Sequence, residues 1–226
     1  MTTISPTDYD PLTRLVIARE VGNNACCVDV GCHSGDILDM MLEYAPGGEF
    51  YCFEPIPDLA AGLRAKYRDD RIRIFDIALS DRAGSSSFNY VLTNPGYSGL
   101  RKRSYDNPDE RDRSITVRTD TMDRILGEAK VDFIKVDVEG AELQVLRGGK
   151  GVILRDKPTI VFEHGLGAAD CYGTTPEQIY ALLVGECGLH LYCLHEFLDD
   201  LGELTESRFC ELFYTGAHYY FLAHRN

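Results

Sequence analysis

The chain has 226 residues, 44 % hydrophobic and 26 % charged, which suits a globular domain with a full core. Its formal charge of −13 and isoelectric point near 4.8 argue against a face built to neutralise phosphates, so no nucleic-acid partner is expected. No apolar run is long enough to span a bilayer, and "MTTISPTDYDPL" lacks the regions of a secretory signal, so no membrane partner is expected either.

Eight cysteines raise the question of disulfides or zinc. Cys26 and Cys27 are adjacent, Cys32 and Cys52 stand alone, and Cys187 and Cys193 are not a CxxC pair. The spacing supports neither reading, and several of these residues lie in apolar runs where buried thiols are common. A reducing cytoplasm is the expected location.

Along the chain, "ACCVDV" (25–30) reads as a buried parallel strand. "DILDMMLEYA" (36–45) places Ile37, Leu38 and Met41 on one helical face, and "PGG" stops it. The strand "EFYCFE" (49–54) leads into the helix "IPDLAAGLRAKY", with Pro57 near its first turn. A third strand is expected over "RIRIFDIAL" (71–79). This alternation implies right-handed crossovers and a parallel sheet covered on both faces.

The rhythm then breaks. "SSSFNYVL" (85–92) and "SITVRT" (114–119) look like strands, separated by a stretch rich in Gly, Pro, Ser and charge. Residues 93–113 are expected to form a lid or acceptor loop. Alternation resumes with the helix "DTMDRILGEA", the strand "VDFIKVDV" (131–138), the helix "AELQVLRG" (141–148) and the strand "TIVFEHG" (159–165). "TPEQIYALLVGECG" reads as a helix, and "LHLYCLHEF" and "AHYYFLAHR" as a closing antiparallel pair. With no internal repeat and no linker, residues 1–226 read as one α/β domain with a doubly wound, mostly parallel sheet and a C-terminal antiparallel hairpin.

In such a sheet ligands bind beyond the carboxyl ends of the strands, where strand order reverses. The residues there are Asp29, Gly31, His33 and Gly35 after the first strand, Glu54 after the second, and Asp76, Ile77 and Ala78 in the third. A dinucleotide fingerprint needs a glycine where His33 stands, because the backbone must approach a pyrophosphate. A side chain there still leaves room for the amino-acid end of a sulfonium cofactor. Asp29 suits its ammonium, Glu54 the two ribose hydroxyls, and Asp76 the adenine amino group, with Ile77 against the ring. The set fits S-adenosylmethionine better than NAD.

"VDVGCHSG", "FEPIPDLAAGL", "IALSDRAG", "TDTMDRIL" and "DFIKVDVEGAELQVLRG" resemble, in order, the motifs of the FkbM family of S-adenosylmethionine-dependent methyltransferases. The resemblance runs from about residue 26 to 163. It implies a class I (Rossmann-like) methyltransferase fold and O-methylation of a hydroxyl on a small acceptor, such as a sugar or glycosylated natural product. It does not reach the N-terminus or the C-terminal third, where an acceptor pocket would be built.

Methyl transfer to a hydroxyl requires a positioned acceptor and a group to take its proton. Asp137, Glu139 and Glu142 follow the fourth strand of the alternation, and Glu163 and His164 end the fifth. His164 is the expected base, because its unperturbed pKa leaves it largely neutral at cellular pH. Asp137, Glu163 and His164 are alternatively a ligand set for Mg²⁺. Lys135 either pairs inward with a carboxylate or reaches the sheet edge. No [D/N]-P-P-[Y/F] tetrad follows the fourth strand, which speaks against the amino-methylating enzymes of DNA and protein glutamine. A non-catalytic module that only binds the cofactor is the rival from another class.

Overall fold

The computed structural model describes residues 4–226. Helix α1 (Tyr9–Glu20) precedes strand β1 (Cys26–Val30), followed by α2 (Asp36–Tyr44), β2 (Glu49–Phe53), α3 (Pro57–Lys66) and β3 (Ile72–Phe75). Next come β4 (Ile77–Leu79), β5 (Gly84–Val91), β6 (Asp112–Asp120), α4 (Met122–Leu126), β7 (Phe133–Val136), α5 (Glu142–Gly148), α6 (Lys150–Asp156) and β8 (Thr159–Glu163). The chain ends with α7 (Pro176–Tyr180), which continues as a wider helical turn to Glu186, then β9 (His190–Cys193), α8 (Leu194–Leu198), α9 (Glu206–Thr215) and β10 (Tyr220–His224).

Seven strands form the main sheet in the order β3-β2-β1-β7-β8-β10-β9. All pairings are parallel except those of β10, which runs antiparallel to β8 and β9. The order reverses between β1 and β7, so the carboxyl ends of those two strands flank the switch point. The fold is the expected α/β sandwich with a mostly parallel sheet. The closing pair is joined through α8 and α9 rather than by a tight turn.

Alternation along each strand divides the core in two. Val28, Val30, Ile134, Val136, Ile160 and Phe162 pack with residues of α4 to α7 and α9. Cys27, Phe133 and Val161 face the other way, against α1, α2 and α8. Helix α1 buries Tyr9, Leu12, Thr13, Val16 and Ile17, the i, i+3, i+4, i+7 spacing of one helical face.

The single strand expected over 71–79 is two strands. β3 stays at the edge of the main sheet, while β4 leaves it to pair parallel with β6 in a second sheet of order β4-β6-β5. Asp76 sits at the break. The strand expected over "LHLYCLHEF" likewise ends at Cys193, where α8 begins.

Candidate active site

The turn after β1 is shaped by a close approach. Gly31 has φ +88°, and a Cβ on it would stand 1.8 Å from the Asp137 carbonyl oxygen; no side chain fits there. Gly35 also has positive φ and opens α2, with the Tyr67 hydroxyl 2.4 Å from where its Cβ would be. Between them His33 turns at φ +48° with its side chain exposed. Its backbone N–H donates to Glu54 Oε2 at 2.9 Å, and that of Ile56 to Glu54 Oε1, also at 2.9 Å.

Glu54 is therefore fixed and buried, with one further lone pair on each oxygen. Burial pushes its carboxyl up to about 7, against the two backbone donors that favour the charged form. It lines a cleft of about 250 Å³ together with His33, Ile56, Ile77, Ala78 and Glu139. Residues Asn94, Pro95, Gly96, Ser98 and Leu100 cover one side. The first part of the segment expected to be a lid or acceptor loop thus lines this cleft.

Asp29 does not line this cleft. It is buried mid-strand on the α1–α2 side of the sheet, and neither carboxylate oxygen has a hydrogen-bond partner. The adjacent Cys32 thiol donates instead to the Asp29 backbone carbonyl, at 3.1 Å. Burial raises the Asp29 carboxyl to about 6, and the Lys135 ammonium limits the rise. A glycine turn without room for a Cβ and a fixed, buried carboxylate at the end of the next strand together fit S-adenosylmethionine. Asp76 is a correction. It is exposed and paired with Arg64 at 3.0 Å, because the chain crosses there from one sheet to the other, and it takes no part in the cleft.

A second, acidic cleft of about 380 Å³ opens beside the first. Asp8, Asp10, Asp137, Glu139, Glu163 and the tyrosines Tyr9, Tyr219 and Tyr220 line it. Carboxylate oxygens of Asp137, Glu139 and Glu163 lie within 4.8 Å of one another. Like charges so close cannot all ionise freely. Burial raises Glu163 well above the usual range, helped by the charges of Asp137 and Glu139. Burial raises Glu139 to about 7, with Asp137 adding to the rise and Arg103 opposing it. Burial is the largest influence on Asp137 and opposes its charge, but the Lys135 charge and the hydrogen bonds from Glu163, Lys135 and Tyr220 together exceed it, and the net shift is downward.

Lys135 pairs inward. It is buried, with Nζ 2.6 Å from Asp137 Oδ2, and despite burial the negative charges of Asp137 and Asp29 keep it protonated. Tyr220, entering the sheet opposite Glu163, donates its hydroxyl to Asp137. Glu139 sits at φ +58° and pairs with Arg103 from the loop before β6. Glu142 holds this bend, with Oε1 accepting from Val138 N and Gly140 N at 3.1 Å each.

The structure does not bring His164 to this cluster. Its ring is fully buried on the other face of the sheet, 4.5 Å from the Phe213 ring, with no partner for either nitrogen. Burial lowers it to about 4. The triad of Asp137, Glu163 and His164 is thus replaced by Asp137, Glu139 and Glu163. Sequence reasoning missed Arg103 and Tyr220 as partners of the cluster, because each comes from a segment distant in the chain.

A doubly wound sheet with its glycine turn, ribose-type carboxylate and acidic cluster at one switch point defines an S-adenosylmethionine-dependent methyltransferase of class I. The methyltransferase FkbM domain model matches residues 29–191, and the chain belongs to that family. The 2-O-methyltransferase NoeI of Sinorhizobium fredii is 29 % identical over 167 residues, 67 % of this chain and 68 % of NoeI. The methyltransferase sdnD of Sordaria araneosa is 28 % identical over 157 residues, covering 56 % of this chain and 61 % of sdnD. The solved methyltransferase FkbM of Methylobacillus flagellatus KT superposes with a TM-score of 0.56 at 16 % identity, over 90 % of this chain and 44 % of that one. The chain thus spans less than two thirds of sdnD and less than half of the Methylobacillus protein. No helix among the described residues is long and apolar enough to cross a membrane.

Proposed function

We propose that this protein methylates a hydroxyl of a small polyhydroxylated acceptor, such as a sugar or glycosylated natural product, with Glu139 as the general base. The observation that carries this is shared lining: Asp137 and Glu139 belong to both the cofactor cleft and the acidic cleft. An acceptor in the second cleft therefore meets the first at these two carboxyls. When bound, S-adenosylmethionine supplies an electrophilic methyl group on sulfonium sulfur. Glu54 would hold its ribose, and Ile77 and Ala78 would pack on its base.

The chain's own task is to orient the acceptor and take its proton. Glu139, near 7, is matched to accept a proton at neutral pH. Asp137, held ionised by Lys135, accepts a hydrogen bond from an acceptor hydroxyl. Tyr219, exposed at the cleft, offers a ring face to the apolar side of a sugar ring. With Glu163 held protonated by burial, two cations, Lys135 and Arg103, balance the two remaining carboxyls, so the proposal needs no Mg²⁺. The 2-O-methyltransferase activity in NoeI's name supports a hydroxyl acceptor, and the eight free cysteines support a reducing, cytoplasmic setting.

The test is formation of S-adenosylhomocysteine with a panel of sugars and glycosides, with and without EDTA. Turnover unaffected by chelator is expected. Cofactor binding without turnover on any hydroxylated acceptor would favour the non-catalytic module, and loss of turnover with EDTA restored by Mg²⁺ would move the proton step to a metal.

A further inference from the structure

A second group of metal-ligating side chains lies outside both clefts. Cys193 ends β9, His195 stands in the first turn of α8, and His218 precedes β10. One ligand atom from each lies within 4.8 Å of the others. Cys193 is 1 % exposed. The His195 and His218 rings stack with centroids 5.4 Å apart, and His195 Nδ1 is buried with no hydrogen-bond partner.

We propose that Cys193, His195 and His218 bind a zinc ion, which staples the β9–α8 junction to the chain entering β10. Thiolate and imidazole are the ligand types that select zinc over magnesium or calcium. In a tetrahedral zinc site, bond lengths near ~2.0–2.3 Å put ligand atoms about 3.5 Å apart. The observed spread reaches that with small side-chain movements. Coordination also answers the unpartnered His195 nitrogen, which otherwise costs desolvation with no return. The Tyr9 hydroxyl, 3.2 Å from His218 Nδ1, fixes that ring as an outer-shell partner does. The Glu196 carboxylate lies beside the Cys193 thiol, and it or water takes the fourth position.

The site would brace the acceptor cleft from behind. Tyr9 reaches from His218 to the cleft and stacks on Tyr220 at 4.9 Å. The ion links two chain segments, the β9–α8 junction and the chain entering β10, and binding only the folded state it adds stability by mass action.

The test is metal analysis of the full, tag-free chain. After dialysis against zinc and then metal-free buffer, one zinc per chain is expected. Titration with Co²⁺ should give a near-ultraviolet thiolate-to-cobalt band. Cys193→Ser should abolish the band, and His218→Gln should weaken zinc binding at least tenfold in a chelator competition. His218→Gln serves if Cys193→Ser fails to fold. Glu139→Gln, in the carboxylate cluster, should keep the full zinc content. No bound zinc in the wild type, or zinc lost with Glu139→Gln but kept with His218→Gln, overturns the proposal and leaves a stacked histidine pair.

Discussion

Glu163 and His164 are consecutive at the end of β8, and the pleat sends them to opposite faces of the sheet. Glu163 joins Asp137 and Glu139 in the acidic cleft, while His164 packs against Phe209 and Phe213 of α9. His164→Ala should therefore cost stability, about 2–4 kcal/mol as for other large-to-small core changes, and leave chemistry nearly intact. The check is kcat measured well below the variant's melting temperature, where a fall of less than threefold is expected. A fall of a hundredfold or more would return the base to His164.

Glu54 is the sharper handle on the cofactor. Its two oxygens are already aligned by His33 and Ile56, so in the proposed role each would meet a ribose hydroxyl without reorganisation. Glu54→Ala removes charge-assisted hydrogen bonds worth roughly 1.5–3 kcal/mol, or about ten- to a hundredfold in Kd. Calorimetry with S-adenosylhomocysteine reads it directly. A change below twofold in a folded variant would place the ribose elsewhere.

The motifs after β1, β2 and β7 were legible because they depend on local chemistry: a glycine turn, an acid ending a strand, a charged bend before a helix. The face to which a residue turns at a strand end was harder to read, and His164 shows this. Its sequence neighbours suggested a base and its orienter, but period-two alternation separates the two. Asp76 failed for a related reason, since nothing in "RIRIFDIAL" marks where the chain changes sheets. Helix α1 is also encoded locally, since Tyr9, Leu12, Val16 and Ile17 recur at the spacing of one helical face. Arg103, Tyr220 and the meeting of Cys193 with His218 are tertiary facts; no local pattern encodes them.

The proposed base has a pH signature. Burial holds the Glu139 carboxyl near 7, so the competent, ionised fraction grows as pH rises through that value. kcat/KM should climb about tenfold per unit below the pKa and level off above it. Glu139→Gln should lower kcat by roughly 10²–10⁴ and flatten the limb, while cofactor affinity changes little. A profile with an unaltered limb in Glu139→Gln would assign the proton to Asp137 or Glu163.

Stability should follow pH with two opposing contributions. Burial raises Asp29 from 3.8 to about 6 and Glu54 from 4.5 to about 7. In that window the folded state holds protons that the unfolded state releases, so their contribution is present at low pH and lost as pH rises through the folded values. At about 1.4 kcal/mol per unit, each is worth at most roughly 3 kcal/mol. His164 acts in reverse, since burial lowers it from 6.5 to about 4. Above 6.5 it is neutral in both states; below that the unfolded chain binds a proton the core rejects, and stability falls until about pH 4. Between about pH 4 and 7 the carboxyl contributions fall while the His164 contribution rises, so in the ligand-free protein the two partly cancel, and these groups change nothing above about pH 7. Asp29→Asn should remove part of the loss between pH 4 and 6, and His164→Phe, which keeps a ring between Phe209 and Phe213, should remove the opposing gain between pH 4 and 6.5. Melting curves of the three proteins from pH 4 to 8 decide it, and a slope over pH 4 to 6.5 unchanged in His164→Phe would assign that gain to other groups.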